Sequence, residues 1–191
     1  MFYKLKRILI IFVFLSFVSQ TKAELKIDIT SGYSEPTPIG ISEFISTSPE
    51  EKIVSKQVSN LVKDDLERSG LFRVIDPKAY IQKISTINIQ PRFSDWKIIN
   101  SQALIVGQSN IQSNGDIRIE FRLWDVFAEQ QMAGWAFNTT RSNWRQISHR
   151  IADKIYERLT GEIGYFDTRI AYVAESGPPK QRIKRLAIMD Q

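Results

Sequence analysis

The sequence has no cysteine and only one histidine, His149. The first absence excludes disulfides, thiolate chemistry and every cysteine-ligated metal site. One imidazole with no cysteine beside it argues against a zinc or transition-metal centre. The nine glycines are scattered, and none belongs to a glycine-rich phosphate loop or a Gly-x-Ser-x-Gly nucleophile elbow. No apolar run reaches the roughly 20 residues of a membrane-spanning helix; the longest, Ile8 to Val18, spans eleven positions with Ser16 among them. Neighbouring carboxylates such as Asp64 and Asp65 point in different directions on a helix, and solvation is expected of Asp64. His149 falls two residues from both Ile147 and Ile151, off their apolar stripe, so a solvated helix histidine is the expectation. No catalytic constellation is left.

What the chain does have begins with an export pattern. Lys4, Lys6 and Arg7 precede the apolar run, and Thr21-Lys22-Ala23 follows it. A basic region, a short apolar region and a small-residue end make a cleavable signal peptide over residues 1–23, cut after Ala23. The whole chain carries a formal charge of +5. Removing four basic residues with the signal leaves 22 basic against 21 acidic side chains, near neutrality. The basic balance therefore gives no support to nucleic-acid binding. Without residues 1–23 the 191-residue chain keeps 168, enough for one domain with a substantial core.

Residues 24–38 read as an arm. Leu25, Ile27 and Ile29 alternate with Lys26, Asp28 and Thr30, a strand period. Ser31-Gly32 and two prolines then break regular structure. On this pattern alone the segment is an edge strand of the domain's own sheet; the alternative is an arm that adds to another protein's sheet.

From 39 to 163 the chain alternates strand and helix signals. "IGISEFI" (39–45) reads as a buried strand. Ser48, Pro49 and Glu51 form a capping box with proline at the first helical position. Val54, Val58, Leu61, Val62 and Leu66 make one apolar stripe, and Gly70 stops the helix. "LFRVI" (71–75) completes a β-α-β unit. Asp76-Pro77 opens a short helix through "KAYIQKI", "STINIQPRF" is irregular, and "SDWKIIN" forms another short helix. "ALIVGQSNIQ", "DIRIEFRLWDVF" and "QQMAGWAFNTT" form a three-stranded meander whose first turn is Asn114-Gly115 and whose second is Ala128-Glu129. Ile117, Ile119, Phe121 and Leu123 share one face; Arg118, Glu120 and Arg122 make the other one wet. A helix from Ser142 to Leu159 carries Trp144, Ile147, Ile151, Ile155 and Leu159 and stops at Gly161. The implied class is α/β, a two-layer sandwich of a mixed β-sheet and two main helices on the same sheet face.

Several short patterns carry less. Asn138-Thr139-Thr140 matches a glycosylation acceptor, a pattern frequent by chance. The basic run Lys180 to Arg185 reads as a solvated strand surface. Trp124, Trp135, Trp144, Phe127 and Phe137 read as core packing and cross-strand pairs.

The strings "PTPIGISEF", "DDLERSGLFRVID", "ALIVGQ", "FRLWDV", "ISHRIADKIYERLTGEIGYFDTRIAYVAESG" and "IKRLAIMDQ" occur in this order. Together they resemble the N-terminal part of the TolB family of the periplasmic Tol–Pal system. The resemblance implies an α/β domain like the anticodon-binding domains of some tRNA synthetases, a likeness of fold and not of RNA binding. It implies a β-propeller after that domain, of which residues 164–191 are the opening hairpin of a truncated propeller; Tyr172, Val173, Leu186 and Ile188 are its expected inward positions. It implies a periplasmic, non-enzymatic protein that links TolA to Pal, needs no cofactor, and supports outer-membrane integrity and constriction at cell division. It makes Glu24, Leu25, Lys26, Ile27, Asp28, Ile29 and Thr30 the TolA-binding arm, free or docked. Pal contacts belong to the propeller, and none can be carried onto this chain. A second reading is the exported accessory domain of a propeller-containing hydrolase.

Overall fold

The computed structural model describes residues 25–27 and 35–190. The proposed signal with its cut after Ala23, and Glu24, Asp28, Ile29 and Thr30 of the arm, lie outside the described residues. Among the described residues no helix is long and apolar enough to cross a membrane.

Strand β1 (Thr37–Ile41) leads into helix α1 (Pro49–Arg68), which returns to strand β2 (Phe72–Val74). The capping box forms as the sequence dictates: Ser48 accepts the Glu51 N–H, and the Glu51 carboxylate reaches back to the Ser48 N–H. β2 pairs parallel to β1, so the unit is β-α-β as expected. Strands β3 (Ala103–Ile111), β4 (Ile117–Asp125) and β5 (Gln130–Thr139) form the antiparallel meander. β3 pairs parallel to β1 on the side away from β2, giving one mixed sheet in the order β2-β1-β3-β4-β5. Helix α3 (Trp144–Thr160) ends at Gly161, whose φ of 83° gives the left-handed cap. α1 and α3 pack side by side on one face of the sheet. Between them and the sheet lie Ile39, Val58, Val62, Leu66, Ile105, Phe121, Ile151, Ile155 and Leu159, all buried.

The other face is not simply wet. A second core of Ile87, Phe93, Trp96, Leu104, Val106 and Val126 covers part of it. It is built by residues 77–99, which include helix α2 (Phe93–Ile98). The helix expected through "KAYIQKI" shrinks to a single 3-10 turn, Pro77–Ala79. Its extension loses to a tertiary contact. The Tyr80 hydroxyl accepts the Ile41 N–H and lies within hydrogen-bond distance of the Ile41 and Ile75 carbonyls, which draws Tyr80 into extended backbone. The aromatic set divides accordingly: Trp124 packs on Phe93 on this second face, while Trp135 stacks on Phe121. Phe127 is half exposed and joins neither core.

Glu51 ties α1 to the end of β3. Its Oε1 accepts the Ile111 N–H at 2.8 Å, and its Oε2 accepts Thr47 N–H and Oγ1–H and Ser48 N–H. Burial alone would raise this carboxyl, but the donors outweigh it and hold the pKa down at about 2. A depressed folded-state pKa contributes stability that is present above the unfolded value and lost as pH falls through the folded one. For Glu51 that window runs from 4.5 down to about 2. Glu51→Gln is expected to cost about 1–2 kcal/mol at neutral pH, the scale of charge-assisted hydrogen bonds and a cap. Urea unfolding should show the gap from wild type closing as pH falls through that window. A gap that ignores pH would show that Glu51 does not titrate this way.

Strands β6 (Arg169–Ser176) and β7 (Ile183–Asp190) form a separate two-stranded sheet. Val173 pairs with Leu186 and Ala171 with Ile188, so Val173, Leu186 and Ile188 share a face. Tyr172 pairs with Ala187 on the opposite face, which corrects its assignment to the same inward set: adjacent strand residues alternate sides. All four are exposed. A two-stranded sheet without a covering layer is marginal. Its amides are expected to exchange within seconds to minutes in this chain, while those of β3 and β4 persist for hours. Protection of β6 and β7 equal to that of β4 would contradict this.

Candidate interaction site

The site the sequence singles out is the arm. Its described residues, Leu25, Lys26 and Ile27, form no strand and join no sheet, which removes the edge-strand reading for these three. They lie instead across the ends of β4 and α3. The Leu25 N–H donates to Asp125 Oδ2 at 2.9 Å, and the Ile27 N–H donates to the Leu159 carbonyl at 2.8 Å. The Ile27 side chain enters the main core and Leu25 packs partly against it. Lys26 points outward over the Gly161 cap. There it borders a groove of about 500 Å³ lined by Trp135, Lys154, Glu157 and Arg158.

Asp125 builds the receiving end. It is buried, its Oδ1 accepts the Phe127 and Ala128 N–H groups at 3.0 and 2.8 Å, and its Oδ2 is left for the arm. Burying a carboxylate is tolerable only when donors surround it. The sequence carried a signal for this residue. Asp125 continues the inward series Ile117, Ile119, Phe121, Leu123 by one more step of two, and a charge at an inward position needs a partner.

The attachment is balanced. Two backbone hydrogen bonds contribute about 0.5–1.5 kcal/mol each. Burying Ile27 adds about 1.5–3 kcal/mol. Ordering three residues costs about 3–6 kcal/mol. The sum lies within a few kcal/mol of zero, the condition for a segment that exchanges between docked and free.

A second polar feature was missed. His149 is buried, not solvated, and its Nδ1 lies 2.6 Å from Asp65 Oδ2, also buried, between α1 and α3. Arg68 Nη2 stands 3.4 Å from Asp65 Oδ1. His149 belongs to a second inward row, with Ala152 and Tyr156 at spacings of three and four. Asp65 sits on the stripe of Val58, Val62 and Leu66. Asp64, its neighbour, is exposed as expected. Among the described residues no group of three metal-ligating side chains forms.

Comparison with known proteins follows the same lines. Residues 25–132 match the family described as the TolB amino-terminal domain. The chain is 50% identical over 174 residues to the Tol-Pal system protein TolB of Paramagnetospirillum magneticum, covering 91% of this chain and 39% of that protein. The crystal structure of TolB from Acinetobacter baumannii superposes with a TM-score of 0.66 at 28% identity, over 82% of this chain and 37% of that one. The chain thus spans well under half the length of these relatives.

Proposed function

Because this chain belongs to the TolB family, we propose that it is a non-enzymatic, protein-binding component of the Tol–Pal system that works in the periplasm after loss of residues 1–23. In this reading the arm, Glu24 to Thr30, is the TolA-binding element and adds its backbone to a TolA sheet edge while Leu25, Ile27 and Ile29 pack beneath. Residues 39–163 are the domain that holds the arm when it is docked. Residues 164–191 open a β-propeller whose later blades carry the Pal contacts, so that TolA and Pal are linked through one protein. Outer-membrane integrity and constriction at division are the processes this link serves.

The observation that supports the reading is the docking of Leu25 and Ile27 by two backbone hydrogen bonds and one buried side chain. That attachment is weak enough to exchange and specific enough to hold a register. The experiment is deletion of Glu24 to Thr30, with TolA binding read by calorimetry and folding by far-UV circular dichroism. A folded variant that binds TolA with unchanged affinity would refute it.

A further inference from the structure

The His149 imidazole is 4% exposed, and its Nε2 has no hydrogen-bond partner among the described residues. Nδ1 is turned to Asp65, and the residue lines a pocket of about 200 Å³ between the start of α3 and the segment that follows the domain. Ser142, Arg145 and Gln146 line it from the α3 side, Asp167 and Arg169 from the other.

The pocket walls are fixed. Asp153, one turn beyond His149 on α3, accepts the Phe166 and Asp167 N–H groups at 2.7 and 3.1 Å. Phe166 is fully buried in the main core. The chain from 166 to 169 is therefore anchored to α3 beside the imidazole. At the other wall, no side chain caps the start of α3, so that helix end presents its positive pole to the pocket.

The charges sum to a preference. Arg145 and Arg169 face the pocket and neither is in an ion pair among the described residues; Arg145 lies over the Trp144 ring. Asp167 opposes them. Two guanidiniums against one carboxylate leave one positive charge, which suits a monoanion better than a phosphate dianion. A guanidinium fork matches a carboxylate in geometry. The His149 Nε2, without a hydrogen-bond partner among the described residues, completes the set.

We propose that this pocket binds a carboxylate, through His149 Nε2 with Arg145 and Arg169. The carboxylate is either a free small acid or an Asp or Glu side chain of another protein segment. The charged groups around the imidazole are Asp65 and Arg68 from α1, Arg145 and Asp153 from α3, and Asp167 and Arg169 from the following segment.

His149 is the sole histidine, so its ring signals in a heteronuclear NMR spectrum need no assignment. Titrating acetate into the whole chain is expected to shift them saturably at millimolar concentrations, while chloride at equal ionic strength does not. Arg145→Gln with Arg169→Gln should weaken acetate binding about tenfold, and both side chains are exposed enough for the fold to survive. A blocked tripeptide with a central glutamate separates the sources. Tenfold tighter binding than acetate identifies an acidic side chain of a protein segment; equal or weaker binding identifies a free acid. No saturable shift, a shift indifferent to the two arginines, or inorganic phosphate binding more tightly than acetate would overturn the proposal.

Discussion

Replacing His149 by alanine is expected to destabilise the chain by about 3–5 kcal/mol, the cost of leaving one member of a buried ion pair without the other. The Asp65 carboxylate is fully buried, its Oδ2 is held by His149, and among the described residues its Oδ1 has no hydrogen bond, only Arg68 at 3.4 Å. Taking away the imidazole strands that charge between α1 and α3, the two helices that cover the sheet. Against a typical total stability of about 5–15 kcal/mol this is a large fraction. The melting temperature should fall by about 6–20 °C in a chain of this size. Asp65→Leu with His149→Leu should be less damaging than the sum of the two single variants, because no charge is stranded. Urea unfolding of the four proteins gives the cycle. A loss below about 1 kcal/mol for His149→Ala would mean that the pair is open to water in solution, which is how the sequence pattern reads.

That pattern misreads the pair for a definable reason. Local signals depend on neighbours in sequence, and they carry through: Ser48, Pro49 and Glu51 place the start of α1, Asn114-Gly115 places the first turn of the meander, and Gly161 ends α3. The apolar stripe of α3 is legible because isoleucine repeats along it. Its second buried row, His149, Ala152 and Tyr156, is not, because each member looks at home on a surface. The row becomes an inward face only when α1 is laid beside it, and nothing in the sequence of α3 states that it will be. The same holds for Tyr80, whose hydroxyl is fixed by the backbone of Ile41, 39 residues away. The arm is half legible. Alternation marks Leu25 and Ile27 as apolar and extended, but the acceptors that hold them, Asp125 and the Leu159 carbonyl, come from residues 100 or more positions later.

Those two acceptors allow the arm to be tested in opposite directions. Deleting Glu24 to Thr30 should abolish TolA binding while the domain stays folded, because of the described residues it removes only Leu25 and Ile27 from the core. Asp125→Ala should do the reverse. It removes the acceptor of the Leu25 N–H and leaves the arm sequence intact. The docked population falls, and a ligand that needs the free arm then binds more tightly by the fraction released. One hydrogen bond is worth about 0.5–1.5 kcal/mol, so the gain in TolA affinity is expected to be at most about 13-fold, and no more than the reciprocal of the fraction of arm that is free in wild type. The variant also strips acceptors from the Phe127 and Ala128 N–H groups, so it will melt at a lower temperature than wild type. His149→Ala separates the two effects. It destabilises the domain without touching the arm, and its TolA affinity should match wild type below its own melting range. Equal affinity of Asp125→Ala and wild type would show that docking and TolA binding do not compete. Tighter binding by both variants would assign the gain to general loosening instead. Only the combination of loss on deletion, gain in Asp125→Ala and no change in His149→Ala fits an arm shared between its own domain and a partner.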